Sequence, residues 1–481
     1  MRAPESRRRS LPRVLIAAGL TALLGACVSV QVPPLPAGDL PSHWHNAPRL
    51  GTRPDLTGWW RHFHDPHLDA LVERALRDNP GVAAAAWKLR AARALEDAST
   101  ATFKPQASFG TLEQPNPENT ASYFQAGFDA TWEFGLFGRS GANAHIASAN
   151  TSASAAELQS ARVSLVAEVV REYLQLRATQ RDQALLQDAA RTAERTVQLL
   201  NERERLQLAS RLDVEHARAA AAAADARLAG TGAAIAGHAQ TLALLLGQGE
   251  PDPAWLDPKP LPQLHDSDFV ALPADLLRTR PDIRYAQAQV LKAAGALGIA
   301  KADLYPRIAL GSSLTFSALV KGHTELGDVN DTFAIGPIID IPLFDWGQRR
   351  AVRDARADQL QAALLAYRQA VLQGAAEVET GLATLHASAQ RLRAADAAVA
   401  ATQQGVLFSE TLQSLGQADA IDNSRATAAN IDSEVARVQA RLAHGLAYVA
   451  LYKALGGAPL PPADDATAAT PGKSPGRTRQ P

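Results

Sequence analysis

The chain repeats itself, and that repetition restricts its fold more than any other feature. Asn79-Pro80 and Arg280-Pro281 stand 201 residues apart, as do Phe103-Lys104-Pro105-Gln106 and Leu304-Tyr305-Pro306-Arg307. Each four-residue run closes an alanine-rich helical stretch. Further on the spacing becomes 209, so that Phe137-Gly138 answers Trp346-Gly347 and Leu212-Asp213 answers Ile421-Asp422. The organisation expected is a first repeat over 59–250, a connection over 251–271 and a second repeat over 272–457. Residues 27–58 form a linker in front of them, and 458–481, rich in Pro, Gly, Ala and charge, read as a disordered tail.

Each repeat holds segments that alternate as strands with two unlike faces. In 123–134, Phe124, Ala126, Phe128, Ala130, Trp132 and Phe134 face one way, and Tyr123, Gln125, Gly127, Asp129, Thr131 and Glu133 the other. In the second repeat Ile308, Leu310, Ser312, Leu314 and Phe316 alternate with small or polar residues, and Phe333, Ile335, Pro337, Ile339 and Ile341 do so again. With the weaker run 106–113 these make two hairpins, 106–134 and 307–342, turning through 114–120 and 321–331. Aromatic and aliphatic residues on one face with small polar ones on the other suit a lipid face and a wet lumen. Phe124, Phe128, Trp132, Leu310, Leu314, Phe333 and Ile335 are the expected lipid-facing residues; a hairpin on a soluble sheet is the plainer alternative. Four strands cannot close a barrel, and an open edge in hydrocarbon leaves backbone groups unpaired at several kcal/mol each. The barrel is therefore expected to be shared by two, three or four chains.

The rest is helix of unusual length. Leu364, Val371, Val378, Leu385, Leu392, Val399 and Val406 recur every seven residues, with Leu360 and Tyr367 at the intermediate seam position, as in a coiled coil. No Pro interrupts 118–250 or 343–458, so two long helices are expected to follow each hairpin, turning near 207–213 and 416–422. About 67 residues at 1.5 Å each is on the order of 100 Å.

Arg2, Arg7, Arg8, Arg9 and Arg13 precede an apolar run that ends in Leu24-Gly25-Ala26-Cys27. This is a secretory signal over 1–26, and its end resembles a lipobox in which Cys27 becomes the lipidated first residue. Val28 at the next position implies sorting to the outer membrane. Without the signal's five Arg and one Glu the remainder carries 43 basic and 48 acidic residues, which gives no field that invites nucleic acid. The lone Cys excludes a disulfide framework and a Cys-based metal site. No nucleophile elbow, P-loop or His-Glu-x-x-His helix occurs, so no enzyme and no cofactor is expected.

The run Leu272-Pro273-Ala274-Asp275-Leu276-Leu277-Arg278-Thr279-Arg280-Pro281-Asp282-Ile283, followed by Tyr305-Pro306, resembles the hallmark of the TolC-like outer-membrane factors, in particular the NodT-type efflux lipoproteins. Trp59 to Phe63, Asp65-Pro66, and the paired Phe137-Gly138-Arg139 and Trp346-Gly347-Gln348 extend the similarity. The resemblance implies a mixed α and β membrane protein, a homotrimer sharing a 12-stranded outer-membrane β-barrel continued by a long coiled-coil periplasmic α-barrel. It implies the exit duct of a tripartite efflux pump for small toxic compounds. Its partners would be a periplasmic membrane-fusion adaptor, an inner-membrane pump of the RND or a similar type, and outer-membrane lipid through Cys27. An exit duct for type I protein secretion, and a poreless coiled-coil scaffold, are the alternatives.

The resemblance also places an acidic gate at the periplasmic tip of the second hairpin, where Asp422 matches, and Arg425 stands one turn on. Asp422 and Arg425 are the expected charge-paired gate, with Asp419, Arg211 and the repeat-related Asp213 as further gate residues. Ser210, Leu212, Gly416 and Gln417 are the expected adaptor contacts. Two departures stand out: Gln207 where the first tip usually has Gly, and Gln287 in place of a commonly acidic residue. The cluster His43, His45, His62, His64, Asp65 and His67 has metal-binding side chains, but Asp65-Pro66 reads better as a helix N-cap followed by Pro at the first helical position. No metal site is expected.

Overall fold

The computed structural model describes residues 33–35, 44–45, 56–114, 122–264, 279–321 and 325–457. Cys27, His43, residues 272–278 of the hallmark run, most of the 27–58 linker and the 458–481 tail lie outside them.

A short 3-10 helix, Trp59–Phe63, precedes α1 (Pro66–Asp78) and α2 (Pro80–Ser99). The hairpin β1 (Gln106–Gln114) and β2 (Ser122–Glu133) follows, then α3 (Arg139–Arg205), α4 (Arg211–Ala229) and α5 (Thr231–Leu245). The second half runs α6 (Pro281–Ala302), β3 (Arg307–Lys321), β4 (Glu325–Asp340), α7 (Gln348–Ser414) and α8 (Ala420–Ala454). The offsets read from the sequence are those of the elements. Thus α2 and α6 begin on Pro80 and Pro281, and β1 and β3 on Gln106 and Arg307. After the hairpins, α3 and α7 begin 209 residues apart and each runs 67 residues, about 100 Å at 1.5 Å per residue. Pro is favourable at a first helical position because its missing N–H has no intrahelical partner there.

Two expectations need correction. The return leg of the first repeat is two helices meeting at Gly230, whereas α8 is unbroken. Gly230-Thr231-Gly232 is a run of poor helix formers, and Thr231 Oγ1 turns back to the Leu228 carbonyl at 2.8 Å. The second hairpin turn is also shorter than the polar stretch 321–331, because β4 already starts at Glu325. Pairs such as Ser317↔Asn330 and Ala318↔Val329 carry the ladder into polar sequence, past a register shift between Ala318 and Val320. Backbone pairing sustains a strand there without apolar alternation.

The chain divides into two compact units. The first comprises 1–37, 88–155 and 284–369 and holds the sheet, whose order is β1-β2-β3-β4, antiparallel throughout. The hairpins of the two repeats join through β2 and β3. Beside the sheet, α6 crosses α3 closely at Gly295: a Cβ there would lie 2.7 Å from Ile146 Cγ1 and 2.8 Å from the Ala142 carbonyl oxygen. Val290, Ala294 and Leu360 form the buried helical core, with Leu297, Leu364 and Tyr367 against it.

The second unit comprises 38–87, 156–283 and 370–481. Trp59 is fully buried in it, stacked on Tyr452 at 5.4 Å between centroids and edge-on to Trp60 at 6.2 Å. Its Nε1–H donates to the Gly457 carbonyl at 3.0 Å, so the indole both fills the core and satisfies its polar end. Asp65 caps α1 as expected, its Oδ1 accepting from the backbone N–H of His67 at 2.8 Å and of Leu68 at 3.4 Å. The heptad seam holds, with Leu360, Val371, Val378, Leu385 and Val399 buried. One residue past seam positions, Leu365, Leu372 and Leu407 are 65%, 45% and 56% exposed, with Glu379, His386 and Arg393 on the same phase between the last two.

Candidate functional site: the two-faced sheet and the helical tips

Strand register decides which side chains share a face. Phe109↔Phe128, Phe128↔Leu314 and Leu314↔Phe333 are successive partners, so one apolar row crosses all four strands. Trp132 pairs with Leu310, and Ser312 with Ile335, which puts every expected lipid-facing residue with Phe124 on the same face. Phe128, Phe333 and Ile335 are well exposed, Phe124, Trp132 and Leu310 about a third so, and Leu314 half-buried. Phe109 joins them at 59% exposed, 5.0 Å from Phe128; the weak alternation of β1 concealed it. The opposite face carries rows such as Ser108, Asp129, Ser313, Ala334 and Gly110, Gly127, Thr315, Thr332. At the helix-side end of β2, Trp132 and Phe134 pack edge-on at 4.8 Å, and Trp132 Nε1–H donates to the Phe103 carbonyl at 3.0 Å. An aromatic pair with one polar tip satisfied suits a membrane–water boundary. Among the described residues no helix is long and apolar enough to cross a membrane.

At the other end of α3 and α7 the chain turns twice in the same way. Gln207 and Gly416, 209 residues apart, both take left-handed backbone, with φ of 58° and 74°. Leu208 N–H donates to the Arg203 carbonyl at 2.8 Å and Gln417 N–H to that of Leu412 at 2.9 Å, the long bond of a Schellman helix end. Gln207 therefore keeps the first tip in a glycine-type geometry at the cost of a Cβ in the left-handed region. The next helices start with matching caps. Ser210 N–H and Oγ–H donate to Asp213 Oδ2 at 3.0 and 2.7 Å. Asp419 Oδ1 accepts from Ile421 and Asp422 N–H at 2.7 and 2.9 Å, and Asp422 Oδ2 accepts from Asp419 N–H at 3.4 Å. The acids expected at the gate are thus also the capping boxes of α4 and α8.

Charge at the tips is arranged differently from the expectation in one respect. Asp422 and Arg425 do pair, at 3.5 Å and both exposed. Asp419 meets Arg203 at 2.8 Å, whereas Arg211, exposed at the start of α4, makes no ion pair among the described residues. The cause lies beneath the tip. Ile421 is buried with Val197, Leu200, Val214 and Ala217, which draws the cap of α8 over the last turn of α3, where Arg203 stands. Burial alone would raise the Asp419 carboxyl, but the Asp422 and Ile421 amides and Arg203 outweigh it and hold the group below the usual range. Asp213 is held low too, by the Ser210 hydroxyl and then its amide. Ser210, Leu212, Gly416 and Gln417 are exposed, and so are Leu206, Leu208 and Leu415 at 68%, 71% and 65%. These last three leucines flank the turns expected near 207–213 and 416–422 without having been singled out, and Arg203 escaped the sequence reading because only the tertiary fold brings it to Asp419.

The histidines go elsewhere. Nδ1–H of His62 and of His64 donate to the carbonyls of Trp59 and His62 at 3.0 and 2.9 Å, and His67 Nε2 lies 2.8 Å from Lys259 Nζ. The backbone N–H of His45 bonds Glu379, while the second oxygen of Asp65 accepts from Tyr173 OH at 2.6 Å. Among the described residues no group of three or more His, Cys, Asp or Glu is placed to hold a metal.

In the hallmark run, Arg280 grips Asp282 with two bonds of 3.0 and 2.8 Å, reaches Glu377 at 2.6 Å, and also donates to the Ala454 carbonyl. Burial raises the Asp282 carboxyl, and the Arg280 guanidinium more than reverses this. The hallmark thus ties the start of α6 to α7 and to the end of α8.

Comparison with known proteins agrees with this geometry. The model of the family described as "Outer membrane efflux protein" matches residues 71–248 and 272–457. The chain is 29% identical over 455 residues to the pyoverdine export outer membrane protein OpmQ of Pseudomonas aeruginosa, covering 90% of this chain and 94% of that protein. It is 28% identical to the toluene efflux pump outer membrane protein TtgC of Pseudomonas putida, covering 93% and 96%. The solved outer-membrane channel OprN superposes with a TM-score of 0.75 at 29% identity, covering 89% of this chain and 98% of that one. A four-stranded, two-faced sheet, paired 67-residue helices and a family match over both repeats lead to one conclusion: the chain belongs to the outer membrane efflux protein family, as an outer-membrane channel through which an efflux pump discharges.

Proposed function

We propose that three copies of this chain close one 12-stranded barrel, anchored further by acyl chains on Cys27, and that the duct opens and shuts at the helical tips. The observation that carries the reading is the sheet. It has an apolar face, and β1 and β4 are its two edges, which in hydrocarbon would leave backbone groups unpaired. An even number of antiparallel strands lets β4 of one copy meet β1 of the next in antiparallel sense, so rotation closes the barrel. Leu365 and Leu372, two heptad-spaced leucines left exposed on α7, support the same assembly as an apolar spot for a neighbouring copy.

At the tips, Arg203–Asp419 ties the two helical hairpins together within each chain, and three copies of Asp422 with Arg425 would ring the axis. Tip leucines beside Ser210, Leu212, Gly416 and Gln417 suit docking of a periplasmic adaptor, which opens the duct only by binding the open state better. An inner-membrane pump of the RND or a similar type supplies the cargo. Small toxic compounds are the cargo this reading favours, since the relatives are named for pyoverdine export and toluene efflux. Conductance of the purified protein in planar bilayers tests the reading. Discrete steps that become larger or more frequent in Arg203→Gln support it, and a protein that inserts without ever conducting refutes it.

A further inference from the structure

We propose that the cavity between α2, α3 and α6 in the first unit binds an amphiphilic organic anion, a carboxylate or phosphate carried on an aliphatic body. The cavity holds about 370 Å³, within the usual range for small-molecule sites. Leu35 and Leu89 supply apolar wall, and Arg93, Arg284, Gln287 and Thr151 supply polar groups. Four observations point to an anion.

Neither Arg93 nor Arg284 has an ion-pair partner among the described residues, whereas Arg139 and Arg280, at the starts of α3 and α6, do. Arg93 and Arg284 are the charged residues that line the cavity, and no Asp or Glu lines it. Thr151 lines the cavity too, and its hydroxyl has no hydrogen-bond partner. Gln287 stands three residues after Arg284 on α6, where an acidic side chain would neutralise that arginine at helical spacing but an amide does not.

The apolar half of the ligand follows from Leu35, which packs beside the buried Val290 and Ala294 and lines one side of the cavity. Guanidinium groups favour carboxylate and phosphate because their planar forks offer paired donors, and the aliphatic wall favours a ligand with a chain over a bare ion. This site is independent of how many copies close the barrel and of the tips.

The test uses the full-length protein in maltoside micelles and a diazirine-bearing analogue of decanoate, with the photolabelled peptides mapped by mass spectrometry. Label is expected in α2, α3 and α6, suppressed by excess decanoate or decyl phosphate and not by decyltrimethylammonium or inorganic phosphate. Arg93→Gln with Arg284→Gln should lower that label about tenfold, the scale of one lost charge-assisted contact. Gln287→Glu should lower it similarly by supplying an internal partner for Arg284, while Arg191→Gln, on an exposed pair with Asp188, should leave it unchanged. Unaltered far-UV circular dichroism and an unaltered gel-filtration profile in the same micelles certify the variants as folded. Label confined to the strands, equal suppression by the cationic amphiphile, suppression by inorganic phosphate alone, or indifference to both sets of variants would each overturn the proposal.

Discussion

Removing the Arg203–Asp419 ion pair should loosen the tips by a calculable amount. Arg203 and Asp419 lie 2.8 Å apart with side chains 39% and 35% exposed, so solvent screens the pair and its worth is about 0.5–1 kcal/mol per chain. If three chains open together the loss is about 1.5–3 kcal/mol, which raises the open-to-closed ratio roughly ten- to a hundredfold. Arg203→Gln removes the charge and keeps a long side chain. Asp419→Asn removes the partner's charge and keeps an N-cap of equal rank, so the start of α8 stays intact. Single-channel open probability in planar bilayers reads the effect, and susceptibility of cells to a bulky antibiotic reads it again. Each single variant should raise open probability, and the double variant should add little to either. Additive effects, or an Arg211→Gln variant as leaky as Arg203→Gln, would refute the assignment of Arg203 as the partner.

Other outcomes follow from single residues. Gln207→Gly relieves a left-handed backbone and should stabilise the first tip by about 1 kcal/mol, measured as protection of tip amides in hydrogen exchange. Phe128→Arg, in the middle of the apolar row, should cost about 2–4 kcal/mol per chain in hydrocarbon and deplete the protein from outer-membrane fractions, whereas Ser313→Arg on the opposite face should not. Lowering pH should loosen the tips. Asp419 and Asp213 titrate below their usual range in the fold, so the stability they lend is full above the unfolded carboxylate value of about 3.9 and is lost as pH falls through the lower folded values. Open probability should accordingly rise in strong acid, and Asp419→Asn should flatten that rise.

Much of the architecture was readable because it is periodic. The 201 and 209 offsets became the matched starts of α2 and α6, β1 and β3, and α3 and α7, and the seven-residue spacing of Val371, Val378 and Leu385 became a buried seam. Alternation in β2, β3 and the latter part of β4 sorted the faces correctly. What failed was what local pattern does not encode. The start of β4 at Glu325 depends on its partner strand, and the break at Gly230 on three weak helix formers inside an otherwise uninterrupted stretch. Arg203 lies 216 positions from Asp419 in the chain, and nothing near either residue announces the other; the packing of Ile421 on Val197 and Leu200 brings them together. Leu365 and Leu372 each stand one residue past a seam position, and their exposure is visible only in the fold.

The shared barrel is the claim on which the proposed duct depends, and the mass of the detergent-extracted protein, with bound detergent subtracted, tests it most directly. Three chains per particle, dissociating on heating, is the predicted result. A particle of one chain, with no heat-sensitive oligomer, would contradict it, since the edges of β1 and β4 would then have no partner in the membrane.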